Sequence, residues 1–199
     1  GNNNTGQLGD GTQDSRPQAE RVQNLEPVSA VFALSYGVCV RHRDNRTSCW
    51  GGESAVPVTT DGPHLRPVSI AGLRAIRSID QQYQQYPLAV LDDDSTWTWD
   101  HNQRMPVRHP TYSAQRIKAH ARGWEVLCYL NLDQDVHCSA RHRAFGQAGV
   151  GIDPYFIEPI TLEVGPEPFL DFDQGAISCG VHAGAVTCWG EDTSYTNLH

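Results

Sequence analysis

The sequence lacks several features that mark familiar protein classes. It has no initiator Met, and its first residues, "GNNNTGQLGDGT", do not resemble a signal peptide. No apolar run approaches the roughly 20 residues that a membrane-spanning helix needs. Basic residues are few, 15 Lys and Arg against 23 Asp and Glu, and the formal charge of −8 disfavours general binding to nucleic acid or anionic lipid. We expect either that a signal was removed or that the sequence belongs to a longer chain.

Helical periodicity is also scarce. Most segments are short apolar alternations, such as "YGVCVRH" and "STWTW", separated by Gly, Pro, Asp and Asn. The 18 Gly and 12 Pro residues fit a chain with many turns. Short strands with regularly spaced turn signals predict an all-β sandwich, barrel or propeller.

Motifs for catalysis and for metal binding are missing. There is no C-x₂-C, H-E-x-x-H or G-x-S-x-G pattern, and "GQLGDG" at 6–11 does not open a helix after a strand. The triplet "HRD" at 42–44 lies between two cysteines, on the tip of a predicted hairpin. Asp92, Asp93 and Asp94 lack the spacing of a calcium loop and are interpreted as a solvated turn. We predict no catalytic residue, no metal, no cofactor and no enzymatic activity.

A sequence motif is repeated along the chain. "VCVRHRDNRTSCWGG" at 38–52 is nearly repeated by "ISCGVHAGAVTCWGE" at 177–191, and two weaker copies lie between them. A Gly-rich landmark supports the register, because "GQLGDG" and "GQAGVG" each end 28 residues before the first Cys of their repeat. We predict a single repeat domain over 1–199, with stacked units. The repeats are approximately 1–50, 51–99, 100–139 and 140–189, and 190–199 starts a fifth.

Each unit carries an apolar pair with a spacing of three residues, about eleven residues before its first Cys position. The pairs are Val28/Val31, Ile76/Ile79 and Phe169/Phe172, and the third unit weakens the pair to Ile117/His120. The unit is interpreted as a Gly-rich turn, a loop, a strand and then a hairpin that the cysteines close.

The cysteines are predicted to form three local disulfides. If Cys39 and Cys49 face each other across a hairpin, the loop has an odd number of residues, and Asn45 suits a left-handed conformation in it. Opposed strand residues have Cβ atoms near the separation that a disulfide needs. Zinc is the rival, but the spacing does not match a structural zinc site. The predicted pairs are Cys39–Cys49, Cys128–Cys138 and Cys179–Cys188; they imply an oxidising compartment.

Other residues are predicted to be structural. Gly6, Gly9, Gly146 and Gly149 are expected to supply positive φ in the turn that enters each blade. The residue after the second Cys position is Trp50, Trp99 or Trp189 in three of the units, and we expect these rings to pack between blades.

Five aromatic residues do not occupy repeated positions and are candidates for binding. Tyr155 and Phe156 align with Ser15 and Arg16 in the first repeat, where a polar loop is normal. An apolar pair in a polar loop indicates contact with a partner or with the adjacent blade, and the sequence leaves both open. The other candidates are Tyr83, Tyr86 and Trp124.

The Gly-rich phrase and the recurring "CWG" resemble the regulator of chromosome condensation repeat. The version with paired cysteines is similar to bacterial extracellular members, such as propellers of the β-lactamase inhibitory protein II type. The resemblance covers essentially the whole chain as four repeats. It implies a β-propeller, or a propeller segment of about four blades, with one four-stranded antiparallel blade per repeat.

The resemblance also implies a function. We expect a non-catalytic extracellular module that binds a protein through propeller loops, in a secreted, periplasmic or cell-surface location. Neither nucleic acid nor membrane insertion is expected. The alternatives are a structural component of a surface or fibre assembly, an enzyme domain, or a regulator like the guanine-nucleotide exchange factors. Four repeats are expected to be completed by a longer chain or complex, or by closure of the ends on each other or on another copy.

Overall fold

Strands form where the sequence alternates short apolar runs with turn residues. The computed structural model describes residues 1–58, 62–80, 87–99, 104–109, 112, 116–122, 126–140, 156–162, 169–174, 177–182 and 184–190. The chain divides into two units, Gly1–Ala114 and Gln115–His199. Each unit is described below by itself.

Among the described residues, the first unit contains eight strands and the second contains seven. In the first unit they are β1 (Val28–Ala33), β2 (Gly37–His42), β3 (Arg46–Gly51), β4 (His64–Arg74), β5 (Ile76–Asp80), β6 (Leu88–Leu91), β7 (Thr96–Thr98) and β8 (Val107–Arg108). In the second unit they are β9 (Ile117–Arg122), β10 (Val126–Asn131), β11 (Val136–Ala140), β12 (Phe156–Thr161), β13 (Phe169–Gln174), β14 (Ile177–His182) and β15 (Ala185–Gly190).

These described strands form four antiparallel sheets in chain order. Sheets β1-β2-β3-β4 and β5-β6-β7-β8 lie in the first unit, and β9-β10-β11-β12 and β13-β14-β15 lie in the second. This pattern confirms the predicted all-β class, and three of the four described sheets have the four antiparallel strands predicted for each repeat. Among the described residues no helix is long and apolar enough to cross a membrane.

A β-bulge explains why the apolar pairs in the sequence have a spacing of three. In β1, Val28 pairs with His42 and Ala30 with Arg41, so Ser29 is an extra residue in the ladder. In a regular strand, residues two apart share a face, and one extra residue changes that spacing to three. The same skip occurs near the start of each of the other first strands, at Arg77 in β5, Lys118 in β9 and Leu170 in β13.

The central hairpins have the register that the cysteine spacing predicts. Cys39 lies opposite Cys49, Cys128 opposite Cys138 and Cys179 opposite Cys188, and all three disulfides are formed. In the cysteine-free hairpin, Leu88 and Thr98 are opposed in the same way.

Left-handed residues close these hairpins. Asn45 has φ 65°, as the odd loop predicts, and Asp94 and Gln134 take the same conformation at the equivalent position of their hairpins. Gly184 supplies it in the shorter last turn. Asn and Asp tolerate this region better than most side chains, whereas Gln134 is an unusual occupant.

The core of the first unit lies between its two sheets. The disulfide of Cys39 and Cys49 is fully buried there, together with Leu73, Ile76 and Trp99. Each buried aliphatic side chain contributes about 1.5–3 kcal/mol. This disulfide is therefore part of the hydrophobic core as well as a covalent staple.

Trp50 packs against the Gly-rich turn at 6–11. Its indole is 4% exposed, and Nε1 donates a hydrogen bond of 2.9 Å to the carbonyl oxygen of Gln7. Gly9 has φ 68°, and a Cβ at Gly9 would lie 2.6 Å from Trp50 Nε1. The Gly-rich turn and the Trp of the "CWG" motif thus pack against each other. The sequence predicted that Trp50 packs between blades, and it did not predict this contact with the turn.

This packing predicts that Gly9→Ala is much more harmful than an ordinary substitution at positive φ. Gly9→Ala combines backbone strain with overlap on the indole ring, so we expect a loss of about 2–5 kcal/mol of unfolding free energy. Gly62→Ala is the matched control, because Gly62 has φ 85° but nothing within 4 Å of its Cβ position. The control should cost only about 1–2 kcal/mol. Equal losses in urea unfolding would contradict the Trp50–Gly9 contact.

The register of the β6–β7 hairpin predicts that an engineered disulfide can form in it. Leu88→Cys with Thr98→Cys puts two thiols at directly opposed positions, so oxidation should link them. Closing a loop of this length should stabilise the protein by about 3 kcal/mol relative to the sum of the two single variants. Peptide mapping without reductant and urea unfolding of the double and single variants provide the measurement. Free thiols in the oxidised double variant would show that the register is wrong.

Candidate interaction surface

The turns of the first two central hairpins form one charged surface in the first unit. We call it the tip surface and define it by Arg41–Arg46 and Asp92–Asp94. Arg43, Asp44, Asn45, Arg46, Asp92 and Asp93 are exposed. The hairpin geometry brings these two charged segments together although about 45 residues separate them in the sequence.

Backbone hydrogen bonds hold the two turns together. Ala75, with φ 54°, donates from its amide to the carbonyl of Asn45 (2.9 Å) and accepts from the amide of Asp92 (2.9 Å). The amide of Arg43 donates to the carbonyl of Pro27 (3.1 Å), which immediately precedes β1. These bonds fix the tip backbone without using side chains.

Two ion pairs join the second turn to neighbouring strands. Arg41 Nη1 lies 3.4 Å from Asp92 Oδ2, which links the two hairpins directly. Arg77 Nη1 lies 2.7 Å from Asp94 Oδ1, so the bulged residue of β5 supports the left-handed residue of the turn. Exposed pairs of this kind contribute roughly 0–1 kcal/mol to stability. Their main effect is to orient the carboxylates.

Arg46 and Asp44 form a further pair at the first turn. Arg46 Nε donates to Asp44 Oδ2 (2.5 Å), and its Nη2 contacts the carboxylate of Glu26. The hydrogen bond from the Arg46 side chain lowers the pKa of Asp44, so this carboxylate stays ionised under mildly acidic conditions. Hydrogen bonds from the hydroxyl and amide of Ser95 likewise lower the pKa of Asp93.

Arg43 differs from the other arginines of the tip surface. Its side chain is exposed, and within the part of the chain that the structure describes its guanidinium has no hydrogen bond or ion pair. A guanidinium presents five donors that match a carboxylate in two-pronged geometry. The tip surface therefore combines orientated carboxylates with one available arginine.

A separate polar cluster lies across the sheet β9-β10-β11-β12 of the second unit. Tyr129, His137 and Thr161 are opposed in register on three neighbouring strands. The rings of Tyr129 and His137 stack with centroids 5.1 Å apart. Asn131 completes the cluster, with its side-chain nitrogen 3.3 Å from His137 Nε2.

The hydrogen bonds define one tautomer of His137. Asn131 Oδ1 accepts from the amide of Asp135 (2.9 Å), so the Asn131 side-chain NH₂ faces His137 Nε2, which must accept. His137 Nδ1 then carries the proton and donates to Thr161 Oγ1 at 3.0 Å. Burial lowers the pKa of His137, although the nearby Asp135 carboxylate opposes the shift.

This cluster predicts acid sensitivity. Because the pKa of His137 is lower in the folded than in the unfolded protein, its contribution to stability is complete above the unfolded pKa, near 6.5. That contribution is lost as pH falls below this value toward the folded pKa. His137→Gln should flatten the dependence of unfolding free energy on pH between about 7 and 5. His64→Gln, in the first unit, is the control, and an unchanged slope in His137→Gln would contradict the assignment.

Most of the aromatic residues proposed for binding lie outside the described residues. Tyr83, Tyr86, Trp124 and Tyr155 do so, and Phe156 is described only as the first residue of β12, paired with Ala140. Their role in binding stays a prediction. Gly146 and Gly149 also lie outside the described residues, whereas Gly6 and Gly9 have the expected positive φ.

The predicted structural Trp residues differ in burial. Trp50 and Trp99 are buried, and Trp189 is half-buried. The sequence had placed "HRD" and Asp92–Asp94 on hairpin tips, and the structure confirms that location. What the sequence reasoning missed is that the two tips meet. The sequence did contain a signal for this contact, because both charged turns occupy the same position within successive repeats.

The tip surface and the His137 cluster differ in the chemistry that they present. The described residues contain no group of three or more His, Cys, Asp or Glu side chains arranged to hold a metal ion. The tip surface presents charged side chains on a backbone that hydrogen bonds hold in place, and the side chains of the His137 cluster form hydrogen bonds with one another. Both arrangements suit recognition or structure.

Comparison with known proteins identifies the fold. No protein-family model and no curated protein sequence matches the chain. Among solved structures, human WBSCR16 superposes with a TM-score of 0.72 at 15% identity, over 95% of this chain and 55% of that one. Yeast RCC1 (Prp20) bound to Kap60 gives a TM-score of 0.62 at 17% identity, over 82% and 43% of the two chains.

A further similar structure is Prp20p from Saccharomyces cerevisiae, described with its binding to Gsp1p and histones. It gives a TM-score of 0.61 at 13% identity, over 81% of this chain and 43% of that one. The chain therefore spans about half the length of these proteins. At these identities the likeness concerns the fold alone: the chain has the fold of a segment of a β-propeller like that of RCC1.

Proposed function

We propose that the chain is a non-catalytic protein-binding module that uses the tip surface for recognition. The observation that carries the proposal is the backbone link through Ala75, which joins two exposed charged turns into one fixed surface. A surface ordered before binding loses little conformational entropy on association. Loops held by a rigid scaffold are common sites of binding.

The partner is a protein with complementary charges. The guanidinium of Arg43 is suited to donate hydrogen bonds to a carboxylate of the partner, and the carboxylates of Asp92 and Asp93 are suited to accept them from basic side chains or backbone amides. A mixed-charge surface of this kind sets orientation and association rate more than affinity. The aromatic residues Tyr155 and Phe156 are retained as candidates for the apolar part of the contact.

The similar structures support a role in protein binding without establishing it for this chain. Prp20 is described in complex with Kap60 and in relation to Gsp1p and histones. These partners belong to that protein. The shared fold means that a segment of this type is compatible with presenting loops to proteins.

The disulfides indicate an oxidising compartment. We propose a secreted, periplasmic or cell-surface location, and a relationship to the disulfide-bearing extracellular propellers. A module in such a compartment benefits from staples, since hairpins in small sheets are marginal without them.

The proposal is tested in two stages. A photo-crosslinking residue at Asn45 should capture a protein from the extracytoplasmic fraction of the source cells, whereas the same residue at the exposed Gln18 should not. With the captured protein purified, Arg43→Glu should weaken binding at least about tenfold, about 1.4 kcal/mol, because a carboxylate would then face a carboxylate. The melting temperature should not change, since the Arg43 side chain has no hydrogen-bond or ion-pair partner among the described residues.

Arg66→Glu is the matched control. It makes the same charge change on β4, whose residue His64 pairs with Gly51 at the end of β3 away from the turn. Binding should be unaffected by this substitution, and the partner should keep its intact mass after incubation, as expected without catalysis. Equal weakening by both variants would overturn the assignment of the tip surface, and a covalently altered partner would overturn the non-catalytic reading.

A further inference from the structure

Two tripeptides match the acceptor pattern for N-linked glycans, which is Asn, any residue except Pro, and then Ser or Thr. They are "NNT" at 3–5, just before the Gly-rich turn, and "NRT" at 45–47, which runs from the β2–β3 turn into β3. The pattern by itself does not distinguish the two. The described structure does, because it shows which of these side chains the fold already uses.

The side chains of the first tripeptide serve the fold. Asn3 is fully buried, and its Nδ2 donates hydrogen bonds to the carbonyl oxygens of Thr12 (3.0 Å) and Asp14 (3.1 Å). The hydroxyl of Thr5 donates to the carbonyl oxygen of Tyr36 (3.3 Å). A sugar on Asn3 Nδ2 would displace the Asn3 bonds and would have to occupy enclosed space. We therefore expect the folded protein to carry no glycan at position 3.

The Asn of the second tripeptide is accessible. Asn45 is exposed in the β2–β3 turn, and its side chain makes no hydrogen bond within the described part of the chain. Its backbone is nevertheless fixed, since its amide donates to the carbonyl of His42 (3.0 Å) and its carbonyl accepts from the amide of Ala75 (2.9 Å). A glycan on Asn45 Nδ2 therefore displaces no hydrogen bond of the described structure.

Thr47 has a hydroxyl that the fold does not use. Its side chain is fully buried, and Oγ1 has no hydrogen-bond partner among the described residues. Buried polar groups are normally paired, and Val has nearly the same shape as Thr without the cost of an unpaired hydroxyl. The acceptor pattern requires a hydroxyl two residues after the Asn. Recognition of the chain before it folds therefore accounts for a hydroxyl that the folded protein leaves unpaired.

We propose that Asn45 is the attachment site of an N-linked glycan. The three disulfides indicate an oxidising compartment, and the lumen of the endoplasmic reticulum is one in which disulfides form and such glycans are added. The structure thus selects one of the two tripeptides, because the first is consumed by internal hydrogen bonds and the second combines an accessible Asn with an otherwise unused Thr.

The transfer uses an oligosaccharide linked to a lipid pyrophosphate as its donor. Asn45 Nδ2 attacks the anomeric carbon of this donor, and a C–N bond forms. The bond from that carbon to the pyrophosphate oxygen breaks, and the lipid pyrophosphate leaves with the electron pair. A base of the transferase takes one proton from Nδ2, so the side chain stays a neutral amide.

The burial of Thr47 sets the order of events. The transferase must reach the Thr47 hydroxyl, which has no exposed surface once β2 and β3 have paired. Transfer therefore precedes closure of the hairpin and competes with formation of the disulfide of Cys39 and Cys49, which closes the same loop. A membrane-permeable reductant added to the cells during synthesis should raise the modified fraction, and a lower fraction would contradict this order.

A glycan at this position regulates the tip surface. Asn45 lies in the same turn as Arg43, and a bulky, hydrated glycan shields the charged side chains around its attachment point. This consequence rests on the proposed function: unmodified copies present the tip surface to a protein partner, and modified copies cover it. The modified fraction then sets how much of the protein is able to bind.

The test is peptide mapping of the full chain purified from the extracytoplasmic fraction of the source cells. Peptide N-glycosidase in heavy-oxygen water removes the glycan and leaves an isotopic label on the side chain that carried it. The label should be found at position 45 and not at position 3, and a digest without the glycosidase controls for spontaneous deamidation. An unlabelled position 45, or a label at position 3, would overturn the proposal.

Three variants made in the same cells test the acceptor pattern. Asn45→Gln should abolish the label without unfolding the hairpin, because Gln134 has φ 70° at the equivalent position of the β10–β11 hairpin. Thr47→Ser should keep the label, whereas Thr47→Val should lose it. Equal labelling of Thr47→Ser and Thr47→Val would contradict the role assigned to the hydroxyl.

A pair of unglycosylated variants tests the argument from Thr47 directly. Urea unfolding is compared for Asn45→Gln and for Asn45→Gln/Thr47→Val, so that no glycan contributes to the difference. The double variant should unfold at a higher urea concentration, since it lacks the unpaired buried hydroxyl. A lower midpoint would show that the hydroxyl serves the fold and would remove the reason for assigning it to glycan transfer.

The regulatory consequence has its own measurement. Against the protein captured by the tip surface, the glycosylated fraction should bind at least about tenfold more weakly than Asn45→Gln. Equal binding would overturn the regulation by the glycan. Because the label at position 45 is measured without a partner, a failure of the tip surface to bind any protein leaves that result unchanged, and the two proposals fail separately.

Discussion

The direct opposition of two residues at the middle of each central hairpin is the constraint on which the described sheets depend. Where both residues are Cys, as at Cys39 and Cys49, the opposition becomes covalent. Where they are Leu88 and Thr98, the same register persists through the backbone ladder and side-chain packing. The disulfide therefore strengthens a register that the strands and turns already define.

A bulge and a left-handed turn residue, on either side of that opposed pair, fit each hairpin to the neighbouring strands. A bulge near the start of each first strand changes which residues share a face, and a left-handed residue closes each turn. In the first unit, Ala75 then ties the turn of one sheet to the turn of the next. Because these bonds are made by the backbone, the side chains at the tips are free to vary without loss of the fold.

Burial gives equivalent positions different chemistry. The disulfide of Cys39 and Cys49 is enclosed in the core, whereas the equivalent positions of the second hairpin hold Leu88 and Thr98. The row of opposed residues through His137 shows the same principle, since burial lowers the pKa of its half-buried ring and the hydrogen bonds around the ring define one tautomer. A repeat protein can thus carry a purely structural group in one unit and a titratable group in another.

The sequence by itself determined the all-β class, the disulfide pairs and the left-handed turn at Asn45, because these depend on spacings within about ten residues. Contacts between residues far apart in sequence decided the rest. They include the packing of Trp50 on Gly9 and the meeting of two charged turns through Ala75. The spacing of three in the apolar pairs was visible from the start. Its cause, a bulge, emerged only from the pairing of β1 with β2, since a bulge is defined by the partner strand.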